Sequence, residues 1–307
     1  MSGFLFIFMN VILPIGIIVV IGYTVQLKFK LDRATLAKLA IHYVMPAFIF
    51  MSLYESDIDF SLLLKIIFFL GLYAFVTFVI TQLIAKFIGL DKGRRTLFTN
   101  SNLLYNAGNY GVPVNDLVFK SDPYAMSVQV IIVVFQNMFA YSYGIFSLNA
   151  ENTGKGKALL GYFRMPIFYG LSLGLVFNFF GINIPAPLES SLDYMRNAMV
   201  GLVLFILGAQ IAGIKFRRLR FSAFLASLTR LVIGPAVAFA MLSLFNVEGI
   251  TAQAILITSA MPAAVNSSII AQEYSDDPEY AAEIVMMSTL LSAVTVSLVI
   301  YVALNVF

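Results

Sequence analysis

The chain has 307 residues, of which 60% are hydrophobic and 11% charged, with a mean hydropathy of +0.91. A soluble domain carries roughly 25% charged residues, so this is the composition of a polytopic α-helical membrane protein with no sizeable extramembrane domain. The absence of cysteine excludes disulfides and thiolate chemistry, a single histidine leaves no imidazole-based metal site, and a formal charge of +3 spread over short loops is not a nucleic-acid signal.

About 20 apolar residues cross the hydrocarbon core. That rule predicts ten spans: Gly3–Leu27, Ala34–Leu53, Leu62–Leu90, Leu97–Phe119, Tyr124–Leu148, Lys157–Phe180, Tyr194–Ile214, Phe221–Phe245, Ile250–Tyr274 and Tyr280–Phe307. The first run is too long for a signal-peptide core and has neither a basic n-region nor a small-residue cleavage site, so it reads as a transmembrane helix.

The loops set the orientation. Sixteen of the nineteen Lys and Arg residues fall in or beside the loops after spans 1, 3, 5 and 7, leaving only Lys65, Lys120 and Arg196 on the other side. Cytoplasmic loops carry the basic excess, which predicts that both termini face outward. Arg230, about nine residues into span 8, reads as snorkelling to the cytoplasmic surface; attraction of an anion from an inner vestibule is the other reading.

The stretch Thr99–Val114, TNSNLLYNAGNYGVPV, is too polar for lipid. Asn102, Asn106 and Asn109 share one helical face by their spacing. Gly108, Gly111 and Pro113 then predict a break near Asn109 to Pro113. Freed backbone groups at membrane depth are tolerated only inside protein or along a wet cavity. A second break is predicted at SAMPAAVNSSII, Ser259–Ile270, where Pro262 is followed by Asn266, Ser267 and Ser268.

The two breaks are matched. Pro14 and Gly22 recur as Pro166 and Gly174, and Pro113 is echoed by Pro262 at nearly the same offset. Two units, residues 1–150 and 151–307, with five spans each must have opposite orientations because five is odd. Matched, interrupted segments in inverted repeats mark the substrate site of secondary transporters. If the breaks cross, the half-helices after Pro113 and after Pro262 aim positive N-terminal ends at one place, suited to a carboxylate. Carbonyls at the opposite half-helix ends could equally hold a cation.

The expected substrate-binding residues are Asn102, Asn106, Asn109, Gly111, Pro113, Gln136, Asn137, Pro262, Asn266 and Ser267. Amides can donate to a carboxylate and accept elsewhere; the competing reading is bundle glue. His42, one turn before Pro46, reads as a neutral histidine bonded to a neighbouring carbonyl, while Gln210 and Asn178 carry no clear reading. No Asp or Glu lies near the middle of any span, and proton and sodium carriers commonly use one.

Four pieces carry a resemblance: VMPAFIF at Val44–Phe50, NAGNYGVPV at Asn106–Val114, VVFQN at Val133–Asn137 and MPAAVNSSIIAQEY at Met261–Tyr274. Over essentially the whole chain these resemble the auxin efflux carrier family, within the wider group that includes the bile-acid sodium symporters. The resemblance implies two inverted five-helix repeats, crossing broken helices 4 and 9, elevator-like movement and small mono- or dicarboxylate substrates. It aligns Gln136 with a substrate-facing glutamine. Plant members carry a long mid-chain hydrophilic loop; here Asn149–Gly156 is short, so the resemblance implies a prokaryotic-type transporter in a bacterial-type plasma (inner) membrane. The bile-acid symporters use a glutamate in span 9, where this chain has Met261-Pro262-Ala263-Ala264, which argues against sodium coupling of that type.

The expected function is therefore a secondary carrier of small organic anions, with an anion channel or a substrate sensor on the same fold as the alternative. An intramembrane enzyme would need paired carboxylates, a Ser–His pair or a metal cluster, none of which the spans supply. The expected partners are an organic anion, the lipid bilayer and, as an admitted arrangement, a second copy in a homodimer; no cofactor, metal or nucleic acid is expected.

Overall fold

The computed structural model describes residues 3–56, 59–148, 166–214 and 220–307. Among them the chain is helical, with twelve segments and no strand. They are α1 (Gly3–Phe29), α2 (Arg33–Tyr54), α3 (Phe60–Phe87), α4 (Lys92–Leu103), α5 (Ala107–Gly111 running into Val112–Phe119), α6 (Pro123–Leu148) and α7 (Pro166–Phe179). After these come α8 (Ala186–Ala212), α9 (Phe221–Leu244), α10 (Gly249–Ser259), α11 (Val265–Tyr274) and α12 (Pro278–Val306). Seven of them are long and apolar enough to cross a membrane: α1, α2, α3, α6, α8, α9 and α12. The remaining three expected spans are the two interrupted ones and the sixth, whose start lies outside the described residues. So do the expected unit boundary at residue 150 and the basic residues Lys155, Lys157, Arg164, Lys215, Arg217 and Arg218.

Glycine decides which helices lie closest. A Cβ on Gly22 of α1 would collide with the Phe205 carbonyl of α8, and one on Gly208 of α8 with the Val19 carbonyl of α1. In the same way Gly170 and Gly174 of α7 meet the Pro46 and Phe50 carbonyls of α2 at 2.7 and 3.0 Å from where a Cβ would sit. In lipid, where hydrophobicity does not favour helix over lipid tail, close packing through small residues is what holds helices together. These two pairs, α1 with α8 and α7 with α2, pack against each other's neighbours, and the other helices gather around α4, α5, α10 and α11.

The interrupted helices cross. Tyr105 and Ala263 face each other as an antiparallel bridge. The Asn106 N–H donates to the Pro262 carbonyl and the Ala264 N–H to the Leu104 carbonyl, both at 2.8 Å. Each bond contributes only about 0.5–1.5 kcal/mol net, but leaving such groups unpaired in a dry interior costs more. Each break thus satisfies the polar backbone the other exposes. The first break differs from expectation in position: it falls at Leu104–Asn106, about two turns before Pro113, and α5 runs through Pro113 without interruption. Pro262 does lie in the second break.

Candidate functional site

Beside the crossing lies a cavity of about 930 Å³. Its wide end is bordered by Lys30, Asp32 and Arg33 from the α1–α2 link and by Gln272 and Glu273 of α11. Its walls carry Met45, Asn109, Asn137, Gln210, Asn266 and Ser268. A recess of about 50 Å³ continues from it to the crossing and shares Met45, Asn109, Asn137, Val265 and Asn266 with it. Tyr105, Asn106, Gly108 and Gln136 close the recess. One water needs about 10–15 Å³ measured in this way, so the recess has room for a carboxylate-sized group.

The recess is lined by side-chain amides and two helix starts. No charged side chain lines it. Two helices begin there. α11 starts after Ala264 with no side chain capping it, and α5 starts after Asn106, whose Oδ1 accepts the Asn109 N–H at 3.1 Å. Helix starts present free N–H groups and a partial positive charge. The Asn106 Nδ2 is buried with no partner among the described residues. A buried donor left unpaired costs about 1–3 kcal/mol, so a ligand acceptor arriving there recovers that loss. Gln136 is buried beside the Tyr105 hydroxyl, and Asn137 spends its amide on the Val133 carbonyl.

Of the ten expected residues, Asn106, Asn109, Gln136, Asn137 and Asn266 line this space. The other five are elsewhere, for identifiable reasons. Asn102 is buried against α9, donating to the Phe98 and Ala226 carbonyls. Gly111 abuts α6: a Cβ there would stand 2.9 Å from Gln129 Nε2. Pro113 is buried inside α5, Pro262 offers its carbonyl to Asn106, and the Ser267 hydroxyl turns back to the Ala264 carbonyl. His42 is exposed on α2 and lines neither space.

Three features escaped the sequence reading. Gln210 lines the cavity, with its Oε1 buried and without a partner among the described residues. Behind the recess, Asn115, Gln129 and Thr258 form a fully buried polar cluster: Asn115 Nδ2 donates to Gln129 Oε1 and to Thr258 Oγ1, and Gln129 Nε2 to the Ala107 carbonyl at 2.7 Å. It ties α5, α6 and α10 together. Arg230 does not snorkel. It is fully buried, with its guanidinium on the Asn102 and Ser259 carbonyls. Two orphan carbonyls at helix ends hold the cation more strongly than a distant surface could.

Residues 6–158 and 155–300 match the family model for membrane transport proteins. The chain belongs to this family, the auxin efflux carrier family. It is 28% identical to an uncharacterized transporter of Methanothermobacter thermautotrophicus, covering 94% of this chain and 95% of that one. It is 24% identical to the uncharacterized transporter YfdV of Escherichia coli K12, covering 96% and 98%. A putative malonate transporter of Rhizobium meliloti is 26% identical over 56% of each chain. The protein is thus an integral membrane transporter.

Proposed function

We propose that this transporter is a secondary carrier of small mono- or dicarboxylates, binding one carboxylate in the recess at the crossing. The unpaired, buried Asn106 Nδ2 between two helix N-termini carries the reading. Asn106 Nδ2 and the two helix starts offer donors, no carboxylate lines the recess, and the partial positive ends favour an anion. The similarity of half the chain to a putative malonate transporter agrees with that class.

The architecture behind the reading is ten spans in two inverted five-helix repeats, residues 1–150 and 151–307. The reciprocal packing supports it: the first helix of each unit, α1 or α7, lies on the second helix of the other, α8 or α2. The glycine-locked helices α1, α2, α7 and α8 form a static frame, past which the crossing and its helices slide as an elevator. The cavity mouth lies at Lys30–Arg33, on the side with the basic loops. That side is cytoplasmic in this reading, both termini are outside, and the state is open to the cell interior.

The deciding experiment is flux with purified protein in liposomes, read by solid-supported-membrane electrophysiology across a series of carboxylates that includes malonate. A carrier gives saturable transport and counterflow. A non-saturating current would mean a channel, and binding without flux a sensor; either result overturns the proposal.

A further inference from the structure

We propose that Arg230 is a tethered cation: its guanidinium permanently fills the place between the carbonyl ends of α4 and α10 that would otherwise call for a dissociable cation, and it supplies the counter-charge for an anion in the recess. The second half of this rests on the carrier reading above; the first half does not.

Arg230 sits in a wide turn of α9, Thr229–Ile233, and has no exposed surface. One Nη donates to the Asn102 carbonyl. The other donates to the Ser259 carbonyl and, at 3.1 Å, to the Tyr73 hydroxyl. Asn102 lies in the last turn of α4 and Ser259 ends α10. The final carbonyls of a helix lack intrahelical partners and carry the negative end of its dipole. Two such ends converge here, and one guanidinium answers both. The fork geometry of arginine suits two acceptors at once.

The place is built for this group. One turn further along α9, a Cβ on Gly234 would stand 2.6 Å from the Arg230 Nη and 3.1 Å from the Tyr73 hydroxyl. Only glycine lets the guanidinium fold back along its own helix. No carboxylate forms an ion pair with Arg230 among the described residues. The helix ends carry only partial charges, so a net positive charge remains.

That charge lies behind the recess. The guanidinium carbon is 4.8 Å from the centroid of the Tyr105 ring, and Tyr105 lines the recess. The recess has donors but no cationic side chain of its own, so the full charge that draws in an anion stands one ring away. A sodium or potassium ion in this role would have to bind and leave with each cycle; an arginine cannot leave and does not lose its proton.

The test has two arms. In detergent, thermal unfolding is followed while sodium chloride is replaced by choline chloride at equal ionic strength, and then by millimolar guanidinium chloride. Wild type should be indifferent to all three. Arg230→Ala should unfold at lower temperature and be restored selectively by guanidinium, while Arg230→Met, which fills the space, should not respond. A folded Arg230→Ala that ignores guanidinium overturns the tethered-cation assignment, whatever the substrate is.

In the second arm malonate is the binding probe. Two unit charges on the order of 10 Å apart, at an effective dielectric of about 20, correspond to roughly a ten- to twentyfold change in affinity. Arg230→Met should lose that much, and Arg230→Lys should stay within a few-fold of wild type. Equal affinity in wild type and folded Arg230→Met refutes the counter-charge role. Should wild type not bind malonate, that substrate fails and the guanidinium arm still decides the first claim. Gly234→Ala shifts the guanidinium without removing it; wild-type stability and malonate affinity in that variant would also overturn the proposal.

Discussion

Asn106 does two jobs with two atoms, and they can be separated. Its Oδ1 caps α5 through the Asn109 N–H, and its Nδ2 is the buried donor without a partner. Asn106→Ala removes both. Losing an N-cap costs about 0.5–2 kcal/mol, so that variant should be less stable as well as weaker in binding. Asn106→Ser keeps an oxygen able to cap and removes the amide donor. A hydrogen bond to a charged group is worth about 1.5–3 kcal/mol, roughly ten- to a hundredfold in affinity. Asn106→Ser should therefore unfold within a degree or two of wild type and bind carboxylate at least about tenfold more weakly. Affinity is read by titration calorimetry in detergent and half-saturation by solid-supported-membrane currents. If the serine variant binds as wild type does, the free amide is not a ligand donor. If both variants lose stability while affinity holds, Asn106 serves only the fold.

Other expectations follow from neighbouring groups. Asn178 donates to the Tyr54 and Ser56 carbonyls at 2.9 and 2.8 Å, closing the end of α2 far from the recess; Asn178→Ala should lower the unfolding temperature and leave carboxylate affinity unchanged, the reverse of Asn106→Ser. The Asp277 carboxylate links Arg94 of α4 with Arg220 before α9, at 3.0 and 2.6 Å. Desolvation pushes its pKa up, but the Arg220 and Arg94 hydrogen bonds outweigh this and hold it below the usual carboxylate value. A lowered folded pKa gives stability that is complete above the unfolded value of about 3.9 and is lost as pH falls below it. Asp277→Asn should flatten the acid limb of unfolding temperature against pH; an unchanged limb would remove Asp277 from the account. For orientation, the cysteine-free chain suits labelling: Asn183→Cys should react with an impermeant maleimide from outside intact cells and Gly93→Cys should not, and the opposite pattern would invert the topology.

Much of this was legible in the sequence, because lipid makes polarity conspicuous. A run of asparagine with glycine and proline at mid-span has few uses in a membrane, and Asn106, Asn109, Gln136, Asn137 and Asn266 do meet in one cavity. What the sequence hid was rotation and depth. Asn102 shares a helical face with Asn106 only if the helix continues between them, and α4 ends at Leu103. Arg230 gave its distance from the end of its span but not its direction, and a wide turn at Thr229–Ile233 turns it toward the crossing. Gln210 carried no signal at all: a lone amide in an apolar helix is the same residue whether it packs or lines a cavity.

The prolines explain where the sequence reading placed the first break. A proline inside a helix lacks its N–H, and its ring strikes the carbonyl four residues back, so Pro113 read as a breaker. The structure handles Pro14, Pro46, Pro113 and Pro235 alike. Each follows a five-residue wide turn, at Phe8–Ile12, Ala40–Val44, Ala107–Gly111 and Thr229–Ile233. Lengthening the hydrogen-bonded turn to five residues moves the obstructing carbonyl aside, and the helix continues. Pro262 is treated differently: its carbonyl accepts the Asn106 N–H, and no helix spans it. Proline content alone therefore does not locate a break in this chain. The break forms where two segments of the chain can exchange backbone bonds, at Leu104–Asn106 with Pro262–Ala264, and Asn106 is fixed there because its side-chain oxygen caps the helix that follows.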